Sequence, residues 1–240
     1  MEFHPAKCYV LRVSRKLKRN LINHDYTLNG HILEVTREVK YLGVTLSEDL
    51  TWGSHIQNCV KKANSIQAVL GRNVRVSDQN IKATAYKTLV RPHVEYCSSV
   101  WDPHTKDHKH KLEMVQRRAA RWVFGKYRRG PNTTGPTEMI SLLGWPSLEE
   151  RRRAARLCML HKIVNRQVLM TTQSLLIPYP YHTQSMPPHA FIPLDKLPPK
   201  LYHSMSFFPR TVAEWNQLPP SVAAIKLTGD FRSAVLEQQP

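Results

Sequence analysis

Four side chains able to bind a metal crowd one short stretch, "HTKDHKH", in which His104, Asp107, His108 and His110 fall within seven positions. On a helix His104 and His108 are four apart and share a face, with Asp107 beside them, a spacing that suits two metal ligands. His110 points elsewhere and no third ligand is assured, so a solvated helix start is the simpler account. Adjacent carboxylates, the other way to hold a divalent cation, occur at Glu48-Asp49 and Glu149-Glu150, and the sequence has no Asp-Asp pair. The first pair falls in a turn and the second in a helix-capping sequence. The four cysteines, Cys8, Cys59, Cys97 and Cys158, form no CxxC and no Cys/His knuckle. No zinc site, other metal site or cofactor is expected, and a reduced intracellular compartment, nuclear or cytoplasmic, fits this usage. P-loop, GxGxxG and GxSxG motifs are lacking.

Charge points to another kind of chemistry. Thirty-five Lys and Arg against 18 Asp and Glu give a formal net charge of +17 over 240 residues, an excess that attracts a polyanion, with nucleic acid first. The densest run is 105–129, where Lys106, Lys109, Lys111, Arg117, Arg118, Arg121, Lys126, Arg128 and Arg129 face only Asp107 and Glu113. Arg117 and Arg121 share a helix face opposite Leu112, Val115 and Ala119, with Arg118 at its flank. That geometry can follow successive phosphates, and a guanidinium can hold each in bidentate fashion. Lys61, Lys62, Arg72 and Arg75 form a smaller basic group. A solvated helix face is the competing account of any such run. Arg151, Arg152, Arg153 and Arg156 crowd a helix N-terminus, where the helix dipole disfavours cations. Compensation by Glu149 and Glu150 is expected there, with a bound phosphate as the alternative. The five tryptophans could stack on bases, but Trp101, Trp122 and Trp215 lie on apolar stripes and are expected in the core.

The elements that must position these residues are α+β in order, with strands first and a run of helices after. "KCYVLRVS" reads as a strand, "YTLNGHILEV" as a hairpin around Asn29-Gly30, and "EVKYLGVTL" as one strand, Lys40–Leu46, with Gly43 at a bulge or close approach. Thr51 is the expected N-cap of a helix ended by Gly71, and Ser77 caps the next, which Pro92 must break or kink. A third helix covers about 105–124, and "TEMISLLG" is a short one closed by Gly144. Ser147–Glu150 is a capping box opening a helix to about Asn165, and Thr211–Glu214 a second box starting a short helix. "FRSAVLEQ" ends the chain as a helix. Ten of the 17 prolines lie between Pro178 and Pro220, so 170–209 reads as extended and loop-like. The expected architecture is a small N-terminal antiparallel hairpin or sheet (1–50), a helical array (51–168) and a Pro-rich, loop-rich segment with short terminal helices (169–240). No apolar run spans a membrane, no signal peptide is present, and a strand edge directly after Met1 is the expected mark of a truncation.

The blocks "FHPAKCYVLRV", "YTLNGHILEV", "VKYLGVTLSEDLTWGSHI", "AYKTLVRPHVEYCSSVWDPH", "KLEMVQRRAARWVFGKY", "SLLGWPSLEERRR" and "SFFPRTVAEWNQLPPSV" together resemble the downstream part of non-LTR (LINE-type, jockey-like) retrotransposon reverse transcriptases. The resemblance covers nearly the whole chain in order. It implies that the N-terminal strand ends a polymerase palm, that Tyr41, Leu42 and Gly43 belong to a primer grip, that a thumb begins at Thr51, and that the Pro-rich tail is the connection. The family's aromatic-Ala-Asp-Asp turn is absent, as are the fingers. The resemblance therefore implies a non-catalytic portion that binds a template–primer or RNA–DNA duplex without sequence preference, partnered by a missing palm and fingers, with Mg2+ belonging to the intact polymerase. A stand-alone basic helical module binding an acidic protein, or an inert relic, is the alternative.

Overall fold

A computed structural model describes residues 4–13, 24–75, 78–125, 134–170, 175–179, 187–193 and 205–238. Lys126, Arg128, Arg129, Ser77 and most of the Pro-rich segment lie outside the described residues. The order is strands first and helices after, the expected α+β class.

Asn29-Gly30 does what its residue types predict. Both adopt positive φ (50° and 79°), closing the antiparallel pair β2 (Thr27–Leu28) and β3 (His31–Ile32). β1 (Tyr9–Leu11) and β4 (Glu34–Thr36) instead pair in parallel. The single strand expected over Lys40–Leu46 is a second hairpin: β5 (Glu38–Tyr41) and β6 (Val44–Ser47) run antiparallel, and Leu42-Gly43 is the two-residue turn. Its φ values, 46° and 86°, are the pair a tight right-twisting hairpin demands. The glycine was therefore a turn signal rather than a bulge. Leu42 adopts a conformation that leucine disfavours, and the Tyr96 hydroxyl donates to its carbonyl at 3.1 Å.

Helix α1 (Gly53–Asn73) starts with Trp52 at its N-cap. Thr51 is not the cap, because its N–H and hydroxyl both donate to Asp49 Oδ1 at 2.9 Å, as does the Ser47 hydroxyl at 2.7 Å. These donors hold the Asp49 carboxyl below the usual carboxylate range. Gly71 lies inside α1 rather than ending it. Helix α2 (Gln79–Ala85) is capped by Asp78, whose Oδ1 accepts from the N–H groups of Asn80 and Ile81. It continues as a widened turn, Tyr86–Val90, in which Arg91 N–H reaches back to Tyr86 O, before Pro92 opens α3 (Pro92–Glu95). Proline has no N–H to return and crowds the carbonyl four residues earlier, and the wide turn relieves that clash. After α4 (Ser98–Trp101), α5 runs Lys106–Phe124, α6 Pro136–Leu142 and α7 Leu148–Val164.

The Ser147–Glu150 capping box is present in full. The second box is not: α8 runs Phe207–Trp215, so Thr211 and Glu214 lie inside it. Pro209 fits its first turn, where N–H groups lack an intrahelical acceptor in any case. Helices α9 (Pro220–Ala223) and α10 (Thr228–Glu237) follow.

Two apolar clusters hold these pieces. The first joins β6, α1, α5 and the 86–101 turns around Ile56, Tyr86, Trp101, Leu112 and Trp122, and Tyr86 stacks on Trp145 at 4.6 Å. The second joins the later turns of α7 to α8–α10 around Leu157, Trp215 and Phe231. Trp101, Trp122 and Trp215 are core residues, as expected.

His55 is buried in the first cluster. Its Nδ1 accepts from Thr45 N–H at 3.1 Å, and its ring meets Trp101 edge-on at 5.1 Å. Burial, helped by the Lys40 charge, lowers its pKa from the ordinary 6.5. The folded chain therefore holds His55 neutral while the unfolded chain takes up the proton, so stability falls as pH drops below about 6.5 and levels off beneath the folded pKa. Burial shifts His93 and His189 in the same direction. Thermal melts from about pH 7.5 to 5 are expected to show this loss. In His55→Asn, whose Oδ1 can still accept from Thr45, the loss should be shallower, and equal slopes would assign it to the other two histidines.

Candidate nucleic-acid interface

Helix α5 buries Leu112, Val115, Ala119 and Trp122 against α1, which leaves the arginines of the same helix at its margin. Arg118 is exposed, and Arg117 and Arg121 are half-buried. Among the described residues none of the three makes an ion pair, whereas Lys109 pairs with Glu149 and Lys111 with Asp107. The structure thus separates the neutralised part of the basic run from its free part. Arg118 and Arg121 line one wall of a groove of about 370 Å³, and Asn64, Gln67 and Gly71 of α1 line the other. Trp122 belongs to the lining too, and Lys82 lies 6.0 Å from its ring centroid.

The helical repeat puts Lys61 one turn before Asn64 and Arg72 one turn beyond Ala68, at the two ends of that groove; both are exposed. Lys62 belongs to a different face, where its charge acts on Cys59 and His93. Tyr41 and Leu42, 65% and 74% exposed, form the tip of the β5–β6 hairpin. A side chain on Gly43 would bring its Cβ to 3.0 Å from the Tyr96 ring. Within this chain the close approach that requires the glycine is thus made by Tyr96.

The arginines at the start of α7 have another role. Arg151 pairs with Glu95, Arg152 and Arg156 each donate to Asp102 at 2.9 and 2.8 Å, and Arg156 and Arg153 reach Glu214. Glu149 and Glu150 do not compensate them, because Glu149 pairs with Lys109 and Glu150 closes the capping box. The helix start is also closed to a phosphate. Its N–H groups at Leu148 and Glu149 donate to Glu113, and that at Glu150 donates to Ser147. Burial still pushes the Glu113 carboxyl up, despite these bonds.

No family model and no solved structure matches the chain. Curated relatives do. Over 106 residues the chain is 32% identical to the RNA-directed DNA polymerase from mobile element jockey of Drosophila funebris, an alignment covering 41% of this chain and 11% of that protein. Over 148 residues it is 26% identical to the probable RNA-directed DNA polymerase from transposon BS of Drosophila melanogaster, covering 59% of this chain and 16% of the relative. The Drosophila melanogaster jockey polymerase is 30% identical over 104 residues. The chain is a relative of the non-LTR retrotransposon reverse transcriptases. It spans 11% to 16% of the length of these polymerases.

In this reverse-transcriptase relative, Asn64, Gln67 and Lys82 were missed because each is unremarkable in its own helix. They gain meaning only when α1, α2 and α5 pack together. Among the described residues no three of His, Cys, Asp and Glu gather as a metal site, and no helix is long and apolar enough to cross a membrane.

Proposed function

We propose that this chain is a duplex-holding, non-catalytic part of a non-LTR reverse transcriptase, gripping the backbone of a template–primer through α5 and its groove with α1. The observation that carries the reading is the sorting of arginines. Those of α7 are consumed by carboxylates, whereas among the described residues Arg117, Arg118 and Arg121 have no carboxylate partner on their edge of α5. Uncompensated guanidiniums on a rigid helix suit phosphates, which fix register without reading sequence. Tyr41 and Leu42 add an exposed apolar tip that can pack against a primer terminus.

The residues present do not fit the metal chemistry of polymerisation. The Asp49 carboxylate is taken up by Ser47 and Thr51, that of Glu149 by Lys109, and that of Glu150 by the Ser147 N–H. In this reading nucleotidyl transfer and Mg2+ belong to a palm and fingers elsewhere in the polymerase, and the compartment is nuclear or cytoplasmic.

Fluorescence anisotropy with a labelled duplex over a salt series tests the reading. Each lost phosphate contact reduces the slope of log K against log[salt] by roughly 0.7–0.9, so Arg117→Glu/Arg118→Glu/Arg121→Glu should flatten it by about two to three units. An unchanged slope, or no binding at low salt by folded wild type, rejects the duplex grip. Affinity for an acidic protein through the same face would then favour an interaction module.

A further inference from the structure

Where the starts of α1, α5 and α8 meet, the chain encloses a cavity of about 490 Å³. Trp52, which packs on the first apolar cluster, and Phe207, which packs on the second, both line it. Leu50 and Val100 line it too, although 51% and 57% exposed. Leu50 holds φ at 55°, a left-handed conformation that asparagine or glycine adopts more easily. Its side chain is half exposed, so core packing does not account for a leucine there, and backbone strain of this kind clusters at functional sites. The polar end of the cavity is cationic. Arg152, Arg153, Arg156 and Arg210 share two carboxylates, those of Asp102 and Glu214. Asp49 also lines the cavity, but its carboxylate is held by Ser47 and Thr51. Arg210, 16% exposed, lies 3.1 Å from Asp102 through Nη1 and 3.7 Å from Glu214 through Nε. Its Nη2 has no carboxylate partner among the described residues. The first turn of α5, which has no side-chain cap, borders the same space and adds to the positive field.

We propose that this cavity binds a small amphipathic anion, with an aromatic or aliphatic body against Leu50, Trp52, Val100 and Phe207 and one oxyanion, a carboxylate or a phosphate, on the guanidinium of Arg210. Apolar walls with a few convergent polar groups, in a volume of several hundred Å³, are the usual form of a small-molecule site. Both halves of the ligand are needed. A bare anion would meet Arg210 and leave the apolar walls wet, and a neutral ring would cover the walls and leave the guanidinium without the charge-assisted bond it can make. The inference goes beyond the duplex reading, because the cavity lies at the opposite end of the α1–α5 pair from Arg118 and Arg121. A Cβ on Gly53 would lie 3.7 Å from His108 at this end, and one on Gly71 would lie 4.0 Å from Trp122 at the other.

The test titrates the whole chain with three naphthalene probes and follows their fluorescence: 1-naphthyl phosphate, 1-naphthoate and the neutral 1-naphthol. At least one of the two anions is expected to bind about tenfold tighter than 1-naphthol, as one hydrogen bond between charged groups would give, and the tighter of the two identifies the oxyanion. Arg210→Met should bring the anions down to the affinity of 1-naphthol and leave 1-naphthol unchanged. Leu50→Asn should melt no lower than wild type yet bind all three probes several-fold more weakly. Arg117→Glu/Arg118→Glu/Arg121→Glu should bind the anions as wild type does. The proposal is overturned if wild type binds none of the probes, if it binds the anions no tighter than 1-naphthol, or if Arg210→Met keeps the preference. Unchanged affinity in folded Leu50→Asn overturns it too. Loss of the anions in the triple variant would place them on the duplex face, which would also overturn this inference while leaving the duplex reading intact.

Discussion

Asp102→Ala is expected to destabilise the folded chain by about 3–5 kcal/mol, a large part of the stability of an ordinary domain. The Asp102 side chain is 3% exposed, and the Arg152 and Arg156 side chains that donate to it are 0% and 2% exposed. Arg210 joins the same carboxylate from α8 at 3.1 Å. Removing the carboxylate leaves two guanidiniums in the interior, and the desolvation of an unpaired ion dominates the loss. Arg156 would keep Glu214, at 2.9 Å, but among the described residues Arg152 would keep no partner for its Nε, and its two terminal nitrogens already lack one there. Asp102→Asn, which retains an acceptor without the charge, should lose less. Arg210→Met, at the partly exposed rim, should lose least, within about 1 kcal/mol. Urea unfolding followed by circular dichroism measures all three, and an Asp102→Ala loss under about 1 kcal/mol would show that the arginines do not depend on it.

That network also explains which parts of the molecule were legible in the sequence. Features that depend on a few consecutive residues were readable: the Asn29-Gly30 turn, the Ser147–Glu150 capping box, and the apolar stripe of α5. Where two local signals compete, the sequence misleads. Gly43 reads as a bulge or a close approach within one strand although it closes a two-residue turn, and Thr211–Glu214 has the spacing of a capping box although α8 begins four residues earlier. Arg151, Arg152, Arg153 and Arg156 are the clearest case. As a run they resemble an anion site, yet their partners lie 50 to 58 positions away for Arg152 and Arg156 and cannot be found by spacing. The free arginines of α5 look the same in sequence. Only packing tells the two groups apart, because it brings Asp102, Glu95 and Glu214 to one set and Asn64 and Gln67 to the other.

Trp215→Ala should cost about 3–5 kcal/mol, and its effect should be confined to one part of the chain. The indole is 1% exposed and packs 5.7 Å from the Phe231 ring, which in turn stacks on His161 at 4.4 Å. Its Nε1 donates to His189 O at 3.0 Å, and the neighbouring Asn216 side chain bonds both the N–H and the carbonyl of Phe191 at 3.0 and 2.8 Å. Ile192 N–H then donates to Ile177 O at 2.8 Å. One end of α8 therefore anchors the described pieces of the Pro-rich segment as well as the second apolar cluster. Helix α7 belongs to both clusters, with Leu148 in the first and Ala154, Leu157 and Leu160 in the second. Its early turns stay fixed by Glu113 and Glu95 when the later ones lose Trp215. Hydrogen exchange should show amides of 187–193 and α8–α10 losing protection while those of α1 and α5 keep theirs, the pattern of a sub-global opening. Trp215→Phe, which restores most of the buried area without the donor, should recover α8–α10 more than 187–193. Uniform loss of protection across α1 and α5 would mean instead that the two clusters unfold as one unit, with the shared helix transmitting the defect.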